Sequence, residues 1–140
     1  MVCVGNICRS PMAEALLRER FARRGRGTVE SAGIAALVGR EADPLARELV
    51  AARGLDLGAH RARQLTPELL RGADLVLAME EGHVREIEAL ASSARGRVHR
   101  IGKFGGFDVP DPYREGRAAF ERALALIERG LVDFEKAFWR

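Results

Sequence analysis

Three stretches of this 140-residue chain open alike, with a short polar residue followed by proline: Ser10-Pro11, Asp43-Pro44 and Thr66-Pro67. Ser, Asp and Thr accept hydrogen bonds from the free amides of a first helical turn, and proline's fixed φ suits the position that follows. Each pair leads into a helical stretch. After the first, Ala13, Leu16, Leu17 and Phe21 recur at helical spacing; the second, "DPLARELVAARG", closes at Gly54; the third, "TPELLRGA", is shorter. Between and after them, residues 28–31 ("TVES"), 74–79 ("DLVLAM") and 97–101 ("RVHRI") read as strands, with a helix through "HVREIEAL".

Residues 116–138 carry Phe120, Leu124, Ile127, Leu131, Phe134 and Phe138 at steps of four and three, which predicts an amphipathic helix of about six turns. A zipper would need sustained heptads, so this helix is expected to pack on a sheet. No repeats or linkers interrupt the pattern, and residues 1–140 are expected to form a single domain. Alternating helices and strands imply an α/β sandwich with a parallel sheet, whose ligands bind beyond the carboxyl ends of the strands. Only Met1 and Val2 precede Cys3, fewer than a normal strand needs. Either the first strand is severely shortened or the true start lies upstream of Met1.

Composition narrows the function. Apolar residues make up 47% and charged residues 31%, an ordinary globular balance. No apolar run is long enough to insert in a membrane and no secretory signal is visible, so a cytoplasmic setting is expected. The net charge is +3, carried by arginines that alternate with glutamates without interleaved aromatics. That pattern reads as solvated helix faces, not a nucleic-acid surface, although the run from Arg18 to Arg26 could dock an acidic partner.

Both cysteines of the chain lie in one octapeptide, residues 3–10, "CVGNICRS". They are too close and too few for a disulfide scaffold. His60, His83 and His99 are scattered, so no metal site is expected. An anion site fits better. A loop of this length can turn successive amides onto one centre, and the helix that follows adds the positive end of its dipole. Gly5 allows close backbone approach, Asn6 tolerates a left-handed conformation, and Arg9 offers a planar fork to two phosphate oxygens. The same field favours the thiolate of a cysteine placed in it, so the groups that bind a phosphate also activate Cys3 to attack it. A leaving alkoxide or phenoxide then needs a proton from another group. The loop "DVPDPY" offers Asp108 and Asp111, of which Asp111 is stiffened by prolines on both sides.

"VCVGNICRSPMAEALLR" resembles the signature of low-molecular-weight protein tyrosine phosphatases, and "DPY" at 111–113 matches that family's second motif. The likeness continues through "VESAGIAALVG", "GAHRARQLT" and "ADLVLAM", nearly the whole chain. "AALVG" and "DPYREGRAAFERAL" look most like the bacterial branch that acts on tyrosine kinases of capsule and exopolysaccharide export.

The resemblance implies a flavodoxin-like three-layer fold with four parallel strands, no cofactor and no metal, and a phosphotyrosyl protein, such as a tyrosine autokinase, as partner. It implies Cys3 as nucleophile, Arg9 as clamp and the amides of Val4, Gly5, Asn6, Ile7, Cys8 and Arg9 as cradle. Ser10 would hydrogen-bond the thiolate, Ser31 and His60 would support Asn6, and Asp111 would be general acid and then general base. Tyr113 and Leu37 would line the aromatic slot. Leu37 also reads as simple loop packing, His60 as an ordinary satisfied histidine, and Cys8 either as an inert buried thiol or as a resolving cysteine in a reversible bridge to Cys3. Phosphoarginine phosphatases and arsenate reductases share this fold. Ile7 stands where the arginine-directed branch carries threonine, and no cysteine follows Cys8 to relay oxidation. A phosphate-binding module made inactive by the short first strand is the non-enzymatic alternative.

Overall fold

The computed structural model describes residues 1–139. Its elements run β1 (Val2–Cys3), α1 (Arg9–Arg24), β2 (Ala32–Gly33), α2 (Pro44–Ala51), α3 (Pro67–Arg71), β3 (Val76–Ala78), α4 (Glu81–Leu90), a 3-10 turn at Ser92–Ala94, β4 (Val98–Arg100) and α5 (Arg117–Phe138). The four strands pair in parallel in the order β2-β1-β3-β4. The short first strand is therefore central, pairing Val2 with both Ala32 and Ala78. The order of connection reverses between β1 and β3, and ligands of such sheets bind beyond the carboxyl ends of the strands at that point.

Side chains alternate across this sheet. Val2, Val76, Ala78 and Val98 join a core with Leu70 of α3 and Val84 and Ile87 of α4. Cys3, Leu77 and Met79 turn to the opposite core with α1, α2 and α5. On α5 the predicted stripe is buried from Phe120 through Phe134, but Phe138 is exposed. Each fully buried Leu, Ile or Phe of that stripe contributes ~1.5–3 kcal/mol. The stripe covers α1 and α2, so it is core packing and not a free zipper face.

Asp43 and Thr66 cap α2 and α3 as their sequence signals predict, accepting from Leu45 N and Leu69 N. Two expectations shift. The second strand is Ala32–Gly33, not residues 28–31, because β1 offers only a short ladder and its register sets Val2 opposite Ala32. Nor does Ser10 cap α1: the helix starts at Arg9 behind Cys8, and the Ser10 hydroxyl is committed elsewhere. The basic run is largely used within the fold: Arg18 pairs with Glu14, Arg23 with Glu19, and Arg20 and Arg24 with Glu135. Among the described residues no helix is long and apolar enough to cross a membrane.

Candidate active site

Residues 4–8 must carry the chain from the end of β1 into α1, and they do so with their carbonyls turned outwards. Cys3 O accepts from Ile34 N at 2.9 Å, Val4 O from Ala35 N at 3.0 Å, and Gly5 O from Leu37 N at 3.0 Å. Asn6 O accepts from His60 Nε2 at 2.7 Å, Ile7 O from Asp43 N at 2.8 Å, and Cys8 O from Met12 N at 3.3 Å. Among the described residues every peptide bond is trans, so each N–H lies opposite the carbonyl of the preceding residue. The amides of Val4 through Arg9 consequently face the inner side of the turn. Successive backbone donors at a helix N-terminus bind anions where their N–H groups converge.

The left-handed residue in the turn is Asn6, at φ 60°. Its side chain is fully buried and wholly satisfied: Nδ2 donates to Ser10 Oγ at 2.8 Å and to Ser31 Oγ at 3.0 Å, and Oδ1 accepts from Arg63 N at 3.0 Å. Ser31 Oγ in turn donates to Glu14 Oε1 at 2.5 Å. Because Ser10 Oγ accepts from Asn6, its own proton is free for Cys3 Sγ, 2.9 Å away.

Gly33, which pairs with Cys3, shows how closely the sheet backs this turn. A Cβ built there would lie 2.5 Å from Val4 O and 3.1 Å from Ala36 Cα. Backbone cannot yield as a side-chain tip can. Gly33→Ala is expected to cost about 1–3 kcal/mol by overpacking. It should also cut kcat by about 10²-fold by displacing the turn on the ångström scale. Urea denaturation and steady-state kinetics measure the two; unchanged kinetics would show that the turn does not need this contact.

Arg9 is only 2% exposed and joins three segments. Its Nη1 donates to Glu80 Oε2 at 2.5 Å and to Val109 O at 2.8 Å, and Nη2 lies 3.9 Å from Asp111 Oδ2. The two aspartates of the 108–113 loop are thereby separated. Asp108 Oδ1 accepts from Glu81 N and Arg100 Nη1, both at 3.0 Å, and so caps α4. Asp111 is half exposed, faces Arg9, and accepts from Tyr113 N at 3.1 Å. Val109 N donates to Met79 O at 2.9 Å, tying the loop to the end of β3.

Leu37 is partly exposed, and a Cβ built at Gly5 would lie 3.7 Å from its Cγ and Cδ1. Tyr113 packs against the core with the Arg114 guanidinium 5.1 Å from its ring centre. Val4 is exposed on the turn itself, whereas Ile7 and Cys8 are buried in the core under α1. Both cysteines are free thiols. Burial pushes the Cys8 thiol up, and the negative charge of Asp43 pushes it further. Among the described residues no group of three or more His, Cys, Asp or Glu is placed to hold a metal ion.

The model of the family "Low molecular weight phosphotyrosine protein phosphatase" matches residues 1–139. This chain belongs to the low-molecular-weight phosphotyrosine protein phosphatase family. A relative from Ralstonia solanacearum, "Probable low molecular weight protein-tyrosine-phosphatase EpsP", is 52% identical over 131 residues, covering 94% of this chain and 88% of the relative. The Salmonella typhimurium phosphatase Wzb is 44% identical, covering 98% of this chain and 91% of its own. The structure of Vibrio vulnificus Wzb in complex with benzylphosphonate superposes with a TM-score of 0.91 at 40% identity, over 98% of this chain and 95% of that one.

Within the phosphatase fold, two acidic residues play parts that sequence reading passes over. Glu14 sits on α1 four residues before Arg18, a pairing that reads as a solvated face, yet it is buried and ends the Asn6 network. Glu80 stands beside Glu81 at the start of α4, where acidic residues merely complement a helix dipole. No local signal in that stretch shows that Glu80 reaches Arg9.

Proposed function

We propose that this chain, acting as one domain, hydrolyses phosphotyrosine in proteins through a phosphocysteine intermediate on Cys3. The observation that carries the reading is the turn from Cys3 to Arg9 at the carboxyl end of the central strand, its carbonyls bonded on the outer side, with Arg9 Nη2 3.9 Å from Asp111 Oδ2. The amides of Val4, Gly5, Asn6, Ile7, Cys8 and Arg9, with the guanidinium of Arg9, hold the three non-bridging oxygens. Cys3 Sγ attacks phosphorus as the bond to the tyrosyl oxygen breaks, and Asp111 gives that oxygen its proton. Asp111, now a carboxylate, takes a proton from water as it attacks phosphorus; the S–P bond breaks and the Cys3 thiolate returns with inorganic phosphate. Charge developing on the oxygens meets donors already in place, which is where most of such a rate enhancement arises.

Ser10 stabilises the thiolate, Ser31 and His60 hold Asn6, and Leu37 and Tyr113 flank the ring of the substrate. The ligand of the Vibrio vulnificus Wzb complex, benzylphosphonate, joins an aromatic ring to a phosphonate through one methylene and supports a slot for such a ring here. The EpsP and Wzb relatives, named as protein-tyrosine-phosphatases, support a phosphotyrosyl protein as substrate. A cytoplasmic tyrosine autokinase of exopolysaccharide export is the partner we infer from the likeness of "AALVG" and "DPYREGRAAFERAL" to that bacterial branch.

Release of phosphate from a phosphotyrosyl peptide, a phosphoseryl peptide and phosphoarginine tests this without added metal. The expected result is turnover of the first at least ~10²-fold above the others. A preference for phosphoarginine, reduction of arsenate, or phosphate binding without turnover would replace the reading with one of its relatives in the fold.

A further inference from the structure

We propose that Glu80 is a positioning residue for this reaction: its carboxylate fixes which edge of the Arg9 guanidinium faces the phosphate turn. The inference rests on the phosphotyrosine reading above and assigns a task to a residue that the reading leaves idle.

A guanidinium has five N–H groups in a rigid plane, and two parallel bonds to an oxyanion use one edge of it. In Arg9 both hydrogens of Nη1 are taken, one by Glu80 Oε2 at 2.5 Å and the other by Val109 O at 2.8 Å. Among the described residues neither Nε nor Nη2 donates a hydrogen bond, and the nearest carboxylate, Asp111, stands 3.9 Å from Nη2. The free edge is therefore Nε–Nη2, the two-pronged side that matches a phosphate. Two anchors define a plane where one would leave it free to turn.

Glu80 is available for this task because another residue does its helical work. It occupies the N-cap position of α4 but makes no capping bond; Asp108 accepts from Glu81 N instead. His83, one turn along α4, backs the same oxygen with Nε2 at 3.6 Å from Glu80 Oε2. Burial and the charge of Arg9 disfavour the imidazolium, so His83 does not compete with Arg9 for the carboxylate as a cation. The backbone of Val109 that shares Nη1 belongs to the loop bearing Asp111, so orienting Arg9 also keeps the general acid docked.

Substitutions at equal charge isolate orientation from electrostatics. Glu80→Gln and Glu80→Ala both remove the negative charge, but only the amide oxygen of Gln can still accept from Nη1. Glu80 and Glu80→Asp share the charge, but the shorter Asp falls back from Arg9. Affinity for inorganic phosphate by titration calorimetry, a readout that needs no turnover, is expected to be about tenfold higher for Gln than for Ala and for Glu than for Asp. On a phosphotyrosyl peptide the same order is expected in kcat/KM, by at least as much, with melting temperatures of Gln and Ala alike. Equal phosphate affinities within twofold in both pairs would overturn the proposal. If Glu80→Ala fails to fold, the Glu/Asp pair decides alone. Failure of the functional reading looks different: the parent chain itself then shows no tyrosine turnover, while its phosphate affinities still report on Glu80.

Discussion

Cys3→Ser is expected to reduce release of phosphate from a phosphotyrosyl peptide by on the order of 10⁴-fold or more, the scale on which loss of a covalent nucleophile is felt. A serine hydroxyl holds its proton far more tightly than a thiol, and in the proposed mechanism Asp111, beside Arg9, serves the leaving group and not the nucleophile. Phosphate affinity should survive the change, because the inward amides and the Arg9 fork do not depend on sulfur. The variant is also a mild one for the fold: Ser10 Oγ at 2.9 Å can donate to the new hydroxyl as it does to sulfur. Single-turnover kinetics and phosphate calorimetry on the same preparation separate chemistry from binding. Turnover persisting within tenfold would mean that Cys3 is not the nucleophile and that water attacks directly.

Asp111→Asn is expected to lower turnover of phosphotyrosine by ~10²–10⁴-fold, the usual worth of a positioned general acid. The amide keeps the hydrogen bond from Tyr113 N through Oδ1, so the loop stays in place and only the proton is lost. The loss should shrink steadily across a series of aryl phosphates as the phenol becomes more acidic, because a good leaving group needs no proton. Asp108→Ala provides the contrast. It removes the cap of α4 and a partner of Arg100, which should cost about 0.5–2 kcal/mol of stability and leave the dependence on the leaving group unchanged. A flat leaving-group dependence in Asp111→Asn, or a steep one in Asp108→Ala, would move the acid from one residue to the other.

These two aspartates mark the point at which local sequence stops being legible. "DVPDPY" presents both in one exposed loop, three residues apart, and nothing local tells a helix cap from a proton donor. The choice is made by Val109, whose amide reaches Met79 at the end of β3 and whose carbonyl reaches Arg9, so that the chain rotates Asp108 towards α4 and Asp111 towards the turn. Ser10 is similar. Serine before proline reads as a cap, but the cap position falls at Cys8 and the hydroxyl is drawn to Cys3 and Asn6. Glu14 and Glu80, which no local signal singles out, are brought to Ser31 and Arg9 only when strands and helices far apart in the chain are packed together.

What short-range physics controls can be read from the residues directly. Asp43-Pro44 and Thr66-Pro67 start helices because a cap and its amides lie within three residues, and Cys3 and Arg9 bracket one turn because both belong to one loop and the helix it opens. The rest waits for the folded chain: which aspartate faces the clamp, what holds Arg9 in its plane, and which carboxylate ends the network behind Asn6. Such roles depend on orientation at the carboxyl ends of β1 and β3, and orientation there is set by packing on both faces of the sheet, which no single stretch of chain encodes.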